Sequence, residues 1–90
     1  MKYILRENMQ VDCFSDGEMV VYDQIGETTH VLNATAAMIL KLIIDNKDNP
    51  LDCFVEKIQN DCTNVSITKL EEDFQKMIGD FLKSKIITTR

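Results

Sequence analysis

The sequence predicts an α+β fold, a three-stranded antiparallel sheet followed by three helices, and three observations carry that prediction. Weakly alternating apolar segments cluster before residue 33. Asn33 then stands between a β-branched run and an almost wholly apolar one, the position of a helix cap. Beyond it, apolar residues recur at helical spacing through two further segments, each opened by a start signal.

Residues 2–6 and 9–14 read as extended, with a break near Asn8. Ser15-Asp16-Gly17 is a turn signal, and Glu18–Asp23, containing Met19-Val20-Val21-Tyr22, alternates weakly as a strand. Gln24–Glu27, with Gly26, has the length of a hairpin connection into Thr28–Leu32, whose β-branched residues suit a pleated strand. These consecutive strands form a small antiparallel meander.

Asn33 caps the first helix, because its side-chain oxygen can accept an orphaned N–H of the first turn. Leu32 is placed to pack against Ala37 as a hydrophobic staple. Ala34–Ile44 is apolar except for Thr35 and Lys41, so this helix, running to about Asn46, must be buried on nearly every side. A polar loop, Asp45–Asn49, leads to Asn49-Pro50, a cap followed by proline at the first helical position. Leu51, Phe54, Val55, Ile58 and Cys62 then recur through the second helix. The third begins near Ser66, which would staple Val65 to Leu70, or near Thr68, where Thr68-x-x-Glu71 is a capping box. The sequence does not choose between them. Ile67, Leu70, Phe74, Met77, Ile78, Phe81 and Leu82 form its apolar stripe, with Ile67, Phe74, Ile78 and Phe81 central and assigned to the core. Ile86–Thr88 is placed to return as a short final strand.

Ninety residues suit one small domain, residues 1–90, and 44% apolar content is ordinary for a globular core. Ala34–Ile44 is too short to span a bilayer, which needs about 20 residues. Charge appears at Lys2, Arg6 and Glu7, before any signal-peptide core develops, so a cytoplasmic protein without a membrane partner is expected. The three cysteines, Cys13, Cys53 and Cys62, are odd in number and show no C-x-x-C pair, against both a disulfide framework and a zinc site. Cys62 reads as core and Cys53 as nearer the surface. The net charge of −5 is concentrated before residue 34, where Lys2 and Arg6 face Glu7, Asp12, Asp16, Glu18, Asp23 and Glu27. Such a surface repels nucleic-acid phosphates.

No set of residues converges on catalysis. His30 is the single histidine. Glu71-Glu72-Asp73 suits the positive end of a helix dipole, and adjacent helical residues diverge rather than share a substrate. No glycine-rich phosphate loop or metal-ligand motif is present. The expectation is a protein that is not an enzyme and uses no cofactor or metal.

The run Leu32-Asn33-Ala34-Thr35-Ala36-Ala37 resembles the signature of the PqqD family, named for pyrroloquinoline quinone biosynthesis protein D. The strand Met19–Tyr22, the turn near Gly26, the second and third helices and the apolar pair Ile86-Ile87 continue the likeness, so that residues 17–88 fit the family's layout. Family members often carry glycine just before that final pair, where this chain has Lys85.

The resemblance implies a winged helix-turn-helix-like domain that binds peptides rather than DNA, a recognition element for ribosomally made, post-translationally modified peptides. It implies a precursor's leader peptide added as a strand beside Thr28–Leu32, in a groove closed by the third helix, and a partner enzyme, often of the radical S-adenosylmethionine class. The expected peptide-binding residues are Thr28, Thr29, His30, Val31 and Leu32 on the strand and Leu70, Asp73, Phe74 and Met77 on the helix. Of Thr29 and Val31, one is expected to turn its N–H outward. Leu70 and Met77, bordered by Asp73 and Asp80, form one flank of the helix and Gln75 with Leu82 the other; the first is taken as the groove wall.

Two other classes compete with this adaptor. A winged-helix DNA-binding regulator would offer arginine or lysine to phosphates and bases, whereas the third helix sets Lys69, Lys76 and Lys83 against Glu71, Glu72, Asp73 and Asp80 and holds no arginine. A structural subunit that binds no peptide is separable only by binding data. The sequence does not specify the peptide, the bond its enzyme makes, the pathway's product or the oligomeric state.

Overall fold

Residues 2–46, 48–61 and 66–90 are those that the computed structural model describes. Strands β1 (Tyr3–Leu5), β2 (Met9–Cys13), β3 (Met19–Asp23) and β4 (Thr28–Leu32) are followed by helices α1 (Ala34–Ile44), α2 (Pro50–Asp61) and α3 (Ile67–Lys83) and by strand β5 (Ile87–Thr89). The fold is α+β, with the antiparallel sheet β2-β3-β4 preceding three helices. A separate two-stranded sheet joins β1 to β5, with Leu5 opposite Ile87 and Tyr3 opposite Thr89.

Local chemistry fixes the corners. Met9 N–H donates to the Arg6 carbonyl at 3.1 Å, turning the chain between β1 and β2 at the expected break. At the β3–β4 hairpin, one carboxylate oxygen of Asp23 accepts the N–H groups of Ile25 and Gly26, each at 3.0 Å, and the side-chain amide of Asn8 at 2.7 Å. These bonds hold the Asp23 carboxyl below its ordinary pKa, the Gly26 amide contributing most and Asn8 next. A Cβ at Gly26 would stand 2.8 Å from the other Asp23 oxygen, so a larger residue there would have to displace that carboxylate.

Asn33 caps α1 as its sequence position predicts, its side-chain oxygen accepting the Ala36 N–H at 2.9 Å. Along α1, Ala36, Ala37, Ile39, Leu40, Leu42 and Ile43 are buried, while Ala34 and Ile44 at its ends are exposed. Met9 of β2, Met19 and Val21 of β3, Phe54 of α2, Leu70, Phe74, Ile78 and Phe81 of α3, and Ile86 and Ile87 complete the core around it. Leu32 packs against this cluster, to which its expected staple partner Ala37 belongs. Phe54 and Phe74 meet as a tilted pair with ring centroids 5.8 Å apart, joining α2 to α3.

Ser66 is the N-cap of α3, but its side chain makes no capping bond. Ile67, expected in the core, is 50% exposed. As the first helical residue it covers the surface N-terminal to its own Cα, off the end of the helix and away from the layer that Leu70 and Phe74 enter. The last turn of α3 closes with the Ile86 N–H on the Phe81 carbonyl at 2.9 Å and the Lys85 N–H on that of Leu82 at 3.1 Å. That bonding defines a Schellman motif, and Lys85 occupies its left-handed position at φ 61°. The final strand begins at Ile87, one residue later than expected.

Cys53 is half-buried against the core and Cys13 is exposed, both as free thiols. The assignments of Cys62 and Val65 lie outside the described residues. No helix among the described residues is long and apolar enough to cross a membrane, and none of these residues form a cluster able to hold a metal ion.

Candidate functional site

Two sheet edges are open in β2-β3-β4, and the hydrogen-bond register says which groups they offer. Phe14 N–H donates to the Glu18 carbonyl and Gln24 N–H to that of Asn8, both at 2.9 Å, bracketing the β2–β3 ladder. Bonded pairs alternate along an antiparallel ladder. Gln10–Tyr22 and Asp12–Val20 are therefore the bonded pairs between them, so Met19, Val21 and Asp23 turn their backbone groups the other way, toward Leu32, His30 and Thr28. Thr29 and Val31 are left with both N–H groups directed off the outer edge of β4. The expectation that only one of them faces outward is incorrect: residues two apart on a strand share an orientation.

The two edges differ in how they are guarded. Strand β2 carries Asp12, and its Met9 N–H is already taken by Arg6. Strand β4, Thr-Thr-His-Val-Leu, has no formal charge, no proline and no bulge in its register. Natural edge strands are ordinarily blunted by such devices. Val31, moreover, is 68% exposed on this unguarded edge.

Beside β4 runs a cleft of about 420 Å³. One wall is the strand itself, Thr29 to Leu32, continued by Asn33 and Ala36 at the start of α1. The facing wall is the C-terminal half of α3, presenting Met77, Asp80, Phe81 and Ser84, with Ile86 beyond it. Phe81, Ile86 and Ala36 are buried in the core, while Met77 is half-buried. The cleft therefore joins an apolar floor to a row of free backbone donors.

Of the residues expected to bind peptide, the cleft brings together Thr29, His30, Val31, Leu32 and Met77. Thr28 lies at the hairpin end, where its hydroxyl donates to the Gly26 carbonyl at 3.1 Å. Leu70 and Phe74, 5% and 3% exposed, sit in the core; Phe74 borders a separate cavity with Tyr3, Ile43 and Leu51. Asp73 pairs with Lys69 at 3.3 Å, one turn away on the helix surface. The cleft wall is displaced toward the C-terminus of α3, and Asp80, Phe81 and Ser84 belong to it. The signal for them was present, since they follow Met77 by three, four and seven residues, one face of a helix.

No protein-family model matches the sequence, and no curated protein matches it. Among solved structures, the chain is similar to TbiB1 in complex with the TbiA(beta) leader peptide, with a TM-score of 0.79 and 18% identity over 97% of this chain and 94% of that one. It is also similar to a lasso peptide synthetase B1 complexed with the leader peptide, with a TM-score of 0.80 and 23% identity over 98% of this chain and 99% of that one. At these identities the likeness establishes a shared fold, spanning nearly the whole length of each partner.

Proposed function

We propose that this protein is a PqqD-like, non-catalytic adaptor of residues 1–90, which binds the leader of a ribosomally synthesised precursor peptide and presents it to a modifying enzyme. The observation that carries this reading is the unguarded edge of β4, with the Thr29 and Val31 N–H groups beside an apolar cleft. Backbone pairing at such an edge supplies affinity for an extended peptide, and the cleft supplies specificity. Both similar structures are complexes with leader peptides, which supports the same use of the shared fold here. The family resemblance adds the partner, an enzyme often of the radical S-adenosylmethionine class, and we propose a cytoplasmic setting for the pair.

Holding the leader raises the effective concentration of the remaining peptide at the enzyme, so the adaptor needs no chemistry of its own. Nucleic acid is the poorer ligand. From Glu7 to Leu40 the chain contains no lysine or arginine, and this stretch includes the whole meander. Calorimetry with the leader of a precursor encoded beside this gene tests the proposal. Saturable binding without turnover is the expected result. Folded protein that gives no heat at high peptide concentration overturns the adaptor role, and amide shifts centred on Phe54–Ile58 of α2 overturn the site.

A further inference from the structure

Asp80 is the one formally charged side chain lining the cleft beside β4. Its position is unfavourable for the fold itself. It stands in the last turn of α3, where the negative end of the helix dipole disfavours a carboxylate. Lys76 and Lys83 are four and three residues away, yet among the described residues the one ion pair joins Lys69 to Asp73. The carboxylate is thus exposed and unpaired at the rim of a groove whose other lining side chains carry no formal charge.

A peptide extending the sheet at β4 presents alternate side chains to opposite faces. One set lies on the side of His30 and Leu32, facing Met77, Phe81 and Asp80 across the cleft. The other set joins Thr29 and Val31 on the outer face. Side chains of the first set are therefore two residues apart and meet both apolar surface and a carboxylate. No lysine or arginine lines the cleft to neutralise Asp80.

We propose that Asp80 is a specificity-determining residue: the cleft selects extended peptides that place lysine or arginine at an even offset from an apolar anchor. This rests on β4 as the site of strand addition. An acidic side chain at the same offset would face Asp80 without a counter-charge, so the residue rejects as well as attracts.

A phage-displayed library of random short peptides, panned on the full chain, tests this. Wild type should enrich peptides with a basic residue at an even offset from an apolar one, and Asp80→Lys should exchange that residue for aspartate or glutamate. Asp80→Asn, the conservative variant should Asp80→Lys fail to fold by circular dichroism, should lose the basic preference and bind wild-type-selected peptides about twofold to fivefold more weakly at low salt. Enrichment of the same apolar peptides by wild type and Asp80→Asn, with no charge preference, overturns the role of Asp80 and leaves strand addition standing. No enrichment on folded wild type, or selected peptides that bind Thr29→Pro and Val31→Pro as tightly as wild type, overturns the strand-addition reading together with it.

Discussion

The backbone N–H groups of Thr29 and Val31 point the same way, off the free edge of β4, while that of His30 between them pairs with Val21 inside the sheet. Proline removes the backbone donor and is tolerated on a strand edge whose N–H faces outward. Thr29→Pro and Val31→Pro should therefore both keep the fold and weaken leader binding by about twofold to tenfold, the worth of one hydrogen bond. His30→Pro should instead lower the denaturation midpoint. Chemical denaturation followed by calorimetry separates the two effects. Unchanged leader affinity in both outer variants would place the peptide elsewhere.

Met77 and Leu70 lie two turns apart on α3 but belong to different surfaces. Leu70→Ala empties a core position and should cost about 2–5 kcal/mol of stability. Met77→Asp puts a charge on the half-buried cleft wall, where an apolar peptide side chain would bury it unpaired. Its main effect should be lost leader binding with the fold retained. Equal damage to stability from the two variants would remove Met77 from the wall.

The meander, the Asn33 cap and the three helices were legible in the sequence because each rests on a local rule: alternation, side-chain capping and helical spacing. The pairing of β1 with β5 was not, since contacts between chain ends leave no periodic trace. The third helix shows the same division within one element. Its stripe was correctly apolar, but periodicity cannot say where along the helix a neighbouring strand crosses. The crossing falls at Met77 to Ser84, so Leu70 and Phe74 became core and Asp80 became the cleft's charge. Lys85 was visible only as a departure from a family pattern. Its left-handed conformation required the structure.

Asp23 ties the β3–β4 hairpin to the turn before β2, and its carboxyl titrates below the ordinary value of 3.8 because the Gly26 amide, the Asn8 side chain and the Ile25 amide bind its ionised form. A carboxyl lowered in the folded state adds stability above its unfolded pKa, and that stability is lost as the pH falls through the folded value. Wild type should thus exceed Asp23→Asn in denaturation midpoint near neutral pH, with the difference shrinking below about pH 4. A difference constant from neutral to acid pH would show that the ionised carboxylate contributes nothing through these bonds.

Lys85 stands at φ 61° where the Schellman turn after α3 ordinarily places glycine. The left-handed conformation costs a residue with a Cβ roughly 1–2 kcal/mol, and glycine's greater freedom in the unfolded chain gives back about half of that gain. Lys85→Gly should therefore stabilise the protein by about 0.5–1 kcal/mol. For a chain of this length that raises the melting temperature by about 2–8 °C. The Lys85 N–H still reaches the Leu82 carbonyl, and Phe81 and Ile86 on either side of the turn stay buried, so the cleft they line should keep its shape and its leader affinity. A thermal melt beside a binding titration checks both parts. A lower midpoint would mean that the lysine side chain contributes more than its backbone strain costs.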